Sequence, residues 1–411
     1  MNLGLEKSKL KTEQDIQITG SKSEANRLLV LQALFEGLDI ENLSNSDDTQ
    51  VLQKALQSSS EVIDIHHAGT AMRFLTAYFS IQENRETLLT GSSRMKERPI
   101  GVLVDALRML GADISYEENE GFPPLRIKGK QLLKSEVSLK ANVSSQYISA
   151  LLLIGAVLEN GLTLSLEGKI TSVPYINMTL ELLNEIGVKT SFKGNVISIY
   201  PRETFSRKNN EKSIIVESDW SSASYFYSLI ALSEIGTSIT LSSYKKASLQ
   251  GDSALVEIYK QFGVETTFTE NSIQLKKNEG SSESKIFHLE NTPDIAQTIA
   301  ITSFGLGMSC DLYGLHTLKI KETDRLEALK IELEKLGALV LITEESLHLK
   351  SSPTIKNNVS IDTYQDHRMA MAFAPLAIKT SLKINKAEVV SKSFPSFWAD
   401  LKSLGIQINK I

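Results

Sequence analysis

Five glycines divide this chain at nearly even intervals, and each follows a stretch of helical periodicity and precedes alternating, strand-like residues. They stand in Leu110-Gly111-Ala112, Ile186-Gly187-Val188, Phe262-Gly263-Val264, Leu336-Gly337-Ala338 and Leu404-Gly405-Ile406, at spacings of 76, 76, 74 and 68 residues. A glycine there suits a helix end, because the left-handed backbone that closes a helix is cheap only without a β-carbon. After Gly187, the residues 189–192, Lys193-Gly194-Asn195 and 196–200 read as a hairpin. One period before Gly111 lies a weaker helical stretch near residues 51–59, followed by Val62-Ile63-Asp64-Ile65. The pattern predicts six units of roughly 70 residues that mix helix and strand. The alternative is an ordinary α/β protein whose helix-glycine-strand segments are unrelated.

Six such units exceed one hydrophobic core, so three per domain is the expected partition. The polar run at residues 203–212 is the best linker near the midpoint, and it places the boundary near residue 218. With 41% hydrophobic and 23% charged residues, the 411-residue chain is expected to fold rather than remain disordered. A net charge of -5 lacks the basic excess of a general nucleic-acid binder, so an anionic ligand must be held by local cations. The lone cysteine, Cys310, sits in an apolar stretch and reads as packed rather than reactive. Residues 1–15 resemble no targeting sequence, and the longest apolar run, 150–158, is too short to span a bilayer, which points to the cytoplasm. No Walker or dinucleotide motif and no metal-ligand spacing among the six histidines is present, so neither a cofactor nor a metal is expected.

Short polar clusters recur where helices should begin. Gly20-Ser21-Lys22-Ser23-Glu24 reads as a capping box, with Arg27 one turn on; cations, hydroxyls and free amides at a positive helix end suit a phosphate. In Gly69-Thr70-Ala71-Met72-Arg73 the glycine lets an anion approach the backbone, and Arg73 offers a guanidinium fork. Arg94, Lys96 and Arg98 precede Pro99, which should open a helix; Ser144-Ser145-Gln146 and Ser172-Val173-Pro174-Tyr175 mark two further starts. Thr292-Pro293-Asp294 puts a carboxylate in a first helical turn, residues 321–325 contain both signs of charge, Asp366-His367-Arg368 opens another helix, and Lys392 stands in an exposed-looking turn. Taken singly, each cluster is also explained as a helix cap, a structural arginine or a solvated charge run.

In order and spacing these motifs resemble the 5-enolpyruvylshikimate-3-phosphate synthase family, from Gly20 to Lys392. The resemblance implies a two-domain inverse α/β barrel. Each domain, 21–218 and 1–20 with 219–411, would hold three βαβαββ units whose helix N-termini face an interdomain cleft that closes on substrate. It implies transfer of the enolpyruvyl group of phosphoenolpyruvate to the 5-hydroxyl of shikimate 3-phosphate, with release of phosphate, by a monomer that glyphosate inhibits. Lys22, Ser23, Arg27, Ser144, Ser145, Gln146, Ser172, Tyr175, Asp294, Thr317 and Lys321 would bind shikimate 3-phosphate. Lys22, Gly69, Arg98, Gln146, Arg325, Arg368 and Lys392 would bind phosphoenolpyruvate. Asp294 would be the base, Glu322 the acid and Lys22 an aid to proton transfer. The substrate pair carries roughly −5 to −6, which explains so many cations.

His67, Phe74, Val173 and Thr317 depart from residues common in the family and bear on affinity rather than on the reaction. Two rival readings are an enolpyruvyl transferase acting on UDP-N-acetylglucosamine and a silent relative that only binds phosphorylated metabolites. The first usually carries a cysteine on a mobile loop of the other domain, and Cys310 lies in the wrong half; intact Asp294 and Glu322 oppose the second.

Overall fold

A computed structural model describes residues 1–140, 144–168, 170, 173–201, 212–281 and 283–411. These form two compact units, Ser21–Val216 and Met1–Gly20 with Glu217–Ile411.

In the first unit the helices are α1 (Lys22–Leu34), α2 (Asp47–Gln57), α3 (Gly69–Ser80), the single turn α4 (Ser93–Lys96), α5 (Gly101–Leu110), α6 (Ser145–Gly155) and α7 (Val173–Glu185). Two four-stranded sheets share one plan, a parallel pair joined through a helix and extended by an antiparallel hairpin. Val62–Asp64 and Glu86–Thr90 run parallel, and Leu125–Lys128 then Asp113–Tyr116 continue antiparallel. Glu136–Lys140, Leu162–Glu167, Val196–Ile199 and Thr190–Lys193 repeat the arrangement. Lys193 pairs with Val196, which makes Gly194-Asn195 a two-residue turn; Gly194 has φ 58°. Helices α3 and α6 are buried along almost their whole length, the burial expected of helices surrounded by other elements.

The second unit contains α8 (Trp220–Leu232), α9 (Leu255–Lys260), α10 (Ala296–Gly305), α11 (Arg325–Lys335), α12 (His367–Phe373) and α13 (Phe397–Ser403). Its three four-stranded sheets share the same strand directions, a parallel pair followed by two antiparallel strands, and two of them take a strand from the start of the chain. Leu3–Leu5 lies between Leu382–Ile384 and Ile408–Lys410, and Gln14–Ile16 runs parallel to Ser238–Ser242. Trp220, Tyr225, Tyr227, Tyr259, Phe262 and Phe304 are fully buried in this unit's core.

The five spaced glycines follow α5, α7, α9, α11 and α13, with φ between 76° and 109°. The unit inferred at residues 51–65 needs correction. Helix α2 ends at Ser58 with extended backbone, and the next strand belongs to the following sheet. In place of a hairpin the sixth sheet has two described strands, Leu38–Glu41 and Lys212–Ile215, paired in parallel. The first unit therefore shows two complete βαβαββ units rather than three among the described residues.

Candidate active site

In the first unit α1 begins at Lys22 with Ser21 as its N-cap, but the capping-box reading fails. The Ser21 side chain makes no cap hydrogen bond, and its hydroxyl is buried without a partner among the described residues. Lys22 reaches across to Asp48 of α2, Nζ to Oδ2 3.3 Å, which holds the ammonium at the mouth of the helix. Ser23 contributes its carbonyl to Arg27 Nη1 at 2.7 Å.

Arg27, expected from the resemblance to bind shikimate 3-phosphate, is an interior cation already well supplied with partners in the structure. Its Nε donates to Thr179 Oγ1 (2.8 Å), and its Nη2 donates to Ser149 Oγ (2.9 Å) and the Tyr175 carbonyl (3.3 Å). Four of its five N–H groups are thus engaged, three of them tying α1 to α6 and α7 and one returning to the Ser23 carbonyl of its own helix. Phe74, one of the departures, places its ring 5.5 Å from the guanidinium carbon. Burial pulls the Arg27 pKa down to about 10, opposed by Tyr175 and Glu24, so the guanidinium stays charged at neutral pH.

Gly69 opens α3 within reach of Arg98. A β-carbon built on Gly69 would stand 2.6 Å from Arg98 Nη1 and 3.1 Å from Cζ. The Arg98 side chain has no hydrogen bond or ion pair to another described residue, and half-buried it keeps its fork for an anion. Its neighbours in sequence do not: Arg94 pairs with Glu97 (2.7 Å) and Lys96 with Glu118 (2.5 Å). Pro99 precedes the helix rather than opening it; α5 starts at Gly101. Arg73 proves structural, donating to the carbonyls of Gly69 (3.0 Å) and Pro99 (3.2 Å). Ser144 caps α6 by accepting from the Gln146 amide, Ser145 is its first residue, and Gln146 Nε2 donates to Thr70 Oγ1 at 3.2 Å. The start of α6 is thereby fastened to the start of α3. Tyr175 lies half-buried in the first turn of α7, which Val173 opens; Ser172 falls outside the described residues. His67 meets Ser92 Oγ through Nδ1 at 2.8 Å.

The second unit gathers acids and bases around one guanidinium. Arg325, 2% exposed at the start of α11, donates from Nη1 to Asp294 Oδ1 (3.0 Å) and from Nη2 to Glu322 Oε2 (2.8 Å). Its Nε donates to Asp366 Oδ2 (2.6 Å). Burial works against its charge, but Asp366, Glu322 and Asp294 outweigh it and raise its pKa. Asp294, in a 3₁₀ turn ahead of α10, also meets Arg368 Nη2 (3.1 Å) and Lys321 Nζ (3.4 Å). Burial favours the neutral acid, yet Arg368, Lys321 and Arg325 together hold its carboxyl well below the usual carboxylate range. The second oxygen of Glu322 accepts from Lys392 Nζ at 2.8 Å. Lys392 is not in an exposed turn: it ends the 3₁₀ segment Ala387–Lys392, and its side chain is only 14% exposed. Thr317, in the 3₁₀ turn His316–Ile320, has its hydroxyl buried without a partner among the described residues.

Thus Asp294, Lys321, Glu322, Arg325, Arg368 and Lys392 meet in one charged network. Sequence reasoning assigned no role to Asp48, Thr179, Ser149 or Asp366. For Asp366 a signal was present, since an N-cap carboxylate two residues before Arg368 is also placed to brace an arginine. Cys310 is fully buried at the start of the strand Cys310–Tyr313, and burial pushes its thiol up to about 12, which leaves it inert. Among the described residues no group of three or more His, Cys, Asp or Glu side chains is placed to hold a metal. No described helix is long and apolar enough to cross a membrane.

Repeated small mixed sheets of this kind match solved enolpyruvyl transferases in fold. EPSP synthase from Acinetobacter baumannii matches over 100% of both chains with a TM-score of 0.80 at 22% identity. The enolpyruvyl transferase NikO from Streptomyces tendae matches over 99% of this chain and 98% of its own, with a TM-score of 0.74 at 13% identity. The chain belongs to the EPSP synthase (3-phosphoshikimate 1-carboxyvinyltransferase) family, whose model matches residues 51–401. It is 48% identical over 397 residues to the 3-phosphoshikimate 1-carboxyvinyltransferase of Bacteroides fragilis (strain YCH46), covering 96% of this chain and 95% of the relative. The enzyme of that name from Sulfurovum sp. (strain NBC37-1) is 34% identical over 425 residues, covering 95% and 96%.

Proposed function

We infer that this chain transfers the enolpyruvyl group of phosphoenolpyruvate to the 5-hydroxyl of shikimate 3-phosphate, the activity of its family in the shikimate pathway to aromatic amino acids. The observation that carries the residue-level reading is the pair Asp294 and Glu322 on neighbouring nitrogens of Arg325. Two carboxyl groups so placed can act on one substrate pair, one on oxygen and the other on carbon. Asp294 takes the proton of the attacking hydroxyl, and Glu322 delivers one to the methylene carbon. The resulting tetrahedral adduct then returns a methyl proton as its bond to phosphate breaks. For Glu322 to deliver a proton, its bond from Lys392 or Arg325 must first give way.

The unit Ser21–Val216 supplies most of the groups for shikimate 3-phosphate: Lys22, Ser23, Ser144, Ser145, Gln146, Ser172 and Tyr175, with at most one N–H of Arg27. Thr317, Lys321 and Asp294 complete the set; the unpartnered Thr317 hydroxyl supports this, being the kind of group a ring hydroxyl or phosphate oxygen satisfies. Lys22, Gly69, Arg98 and Gln146, with Arg325, Arg368 and Lys392, hold phosphoenolpyruvate. Their cations neutralise the substrates and stabilise phosphate as it departs. The protein works as a cytoplasmic monomer without a cofactor.

Release of phosphate from phosphoenolpyruvate should require shikimate 3-phosphate and fail with UDP-N-acetylglucosamine; the reverse preference, or no release with either, overturns the reading. Gly69→Ala should push the Arg98 guanidinium from its place, because the added carbon overlaps Nη1. Since Arg98 is the end of a flexible side chain, the pocket narrows rather than collapses. Glyphosate inhibition is expected to weaken by tenfold or more, about 1.4 kcal/mol, with a smaller rise in the KM for phosphoenolpyruvate; unchanged inhibition constants count against this placement of Arg98.

A further inference from the structure

Asp252 is a carboxyl that the reaction as described does not use. It lies in the 3₁₀ turn Gly251–Ala254, is 3% exposed, and its Oδ1 has no hydrogen-bond partner among the described residues. Its Oδ2 shares a short hydrogen bond with the hydroxyl of Ser221, in the first turn of α8. The same hydroxyl accepts from Arg368 Nη2 at 3.3 Å, the nitrogen that also donates to Asp294 at 3.1 Å. A chain therefore runs from a buried carboxyl through one hydroxyl to Arg368 and on to Asp294.

We propose that Asp252 is a positioning residue for the anionic substrate, holding a proton that turns the Ser221 hydroxyl, and through it Arg368, toward phosphoenolpyruvate. The argument begins with charge. The linked group contains four carboxylates, Asp252, Asp294, Glu322 and Asp366, and four cations, Lys321, Arg325, Arg368 and Lys392. With Asp252 ionised the group is neutral; with Asp252 protonated it carries one net positive charge, which favours an incoming anion. Hydrogen-bond direction points the same way. An ionised Asp252 takes the Ser221 proton. A protonated Asp252 can donate to Ser221, which frees the Ser221 O–H for a ligand oxygen on Arg368.

The surroundings favour such a proton at working pH. Burial, with Asp294 adding to it, pushes the Asp252 carboxyl up to about 7, while Arg368 and the Ser221 hydroxyl pull the other way. The groups facing it are Asp219 and Ser221 from α8, Asp294 from the turn before α10 and Arg368 from α12. On α9, Glu257 and Lys260 lie exposed, and Tyr259 is turned to Thr302.

This proposal rests on reading Arg368 as part of the grip on phosphoenolpyruvate, and the test separates the two. The KM for phosphoenolpyruvate is measured from pH 6 to 8.5 in the wild type, Asp252→Asn, Ser221→Ala and Arg368→Ala. Because Asn donates like the protonated acid, the ratio of wild-type to Asp252→Asn KM should climb about tenfold between pH 6 and 8, the slope of a group titrating near 7. The substrate's own ionisation cancels in that ratio. Because the proton acts through the Ser221 hydroxyl, Ser221→Ala should lose the same pH dependence, so the ratio of wild-type to Ser221→Ala KM should also climb between pH 6 and 8; this variant also serves if Asp252→Asn folds poorly. Profiles parallel to the wild type in Asp252→Asn or in Ser221→Ala overturn the proposal. An Arg368→Ala KM equal to that of the wild type at every pH overturns the underlying reading instead.

Discussion

Replacing Arg325 with leucine is expected to destabilise the unit Met1–Gly20 with Glu217–Ile411 by about 3–5 kcal/mol and to abolish measurable turnover. The loss follows from what remains. Asp366 is fully buried, Asp294 and Glu322 are partly buried, and all three would lose a charge partner that sits 2.6–3.0 Å away. Both tryptophans, Trp220 and Trp398, belong to this unit, so fluorescence during urea unfolding follows it alone. A pH series distinguishes charge from packing. In the wild type the Asp294 pKa is held down, so its contribution is present above the ordinary carboxylate pKa, about 3.9, and is lost as pH falls further. The leucine variant lacks one of the cations responsible. Its deficit should be largest near neutrality and shrink as the carboxylates protonate; a deficit constant from pH 7 to pH 3 would mean that only packing had been lost.

The sequence displayed the fold wherever backbone geometry restricts residue choice. A left-handed residue after a helix selects glycine, so the ends of α5, α7, α9, α11 and α13 mark the repeat. Where the chain closes a helix otherwise, the signal disappears. Ser58 ends α2 with extended backbone, and nothing nearby announces that the next strand enters a different sheet. The pairing of Leu38–Glu41 with Lys212–Ile215 spans about 170 residues, and that of Leu3–Leu5 with Ile408–Lys410 about 400. Such pairings depend on tertiary context and leave no local period.

The candidate site was legible by residue type and less so by role. Charged residues at helix starts stood out in the sequence, and those of the second unit, Asp294, Lys321, Glu322, Arg325, Arg368 and Lys392, meet in the structure. What spacing could not reveal is which cations already have partners. Arg27, Arg73 and Arg98 look alike in sequence, yet hydroxyls and carbonyls of α6 and α7 hold the first and the carbonyls of Gly69 and Pro99 hold the second, whereas Arg98 has no such partner among the described residues. Likewise Arg94 and Lys96 meet surface glutamates only because the turn α4 brings Glu97 and Glu118 to them. Burial and partner choice depend on three-dimensional neighbours, which the order of residues encodes only through the whole fold.

Asp294→Asn should separate binding from turnover in sign. As general base its removal is expected to lower kcat by about 10²–10⁴-fold. In the proposed site Asp294 also competes with the substrate, because Arg325, Arg368 and Lys321 all point at its two oxygens. Without that carboxylate the three cations are freer to meet phosphoenolpyruvate, so its dissociation constant, measured by calorimetry, should fall while kcat collapses. The same competition explains how so weak a base can serve. With three cations on it Asp294 holds a proton poorly, but once substrate anions draw those cations away its proton affinity rises toward that of an ordinary carboxylate. An acid-side limb in the wild-type kcat profile at saturating substrate, missing in the variant, would report the base in that relieved state. A residue that merely held the fold together would, when replaced, weaken binding and turnover together; the opposite signs expected here mark a carboxylate that waits on its substrates.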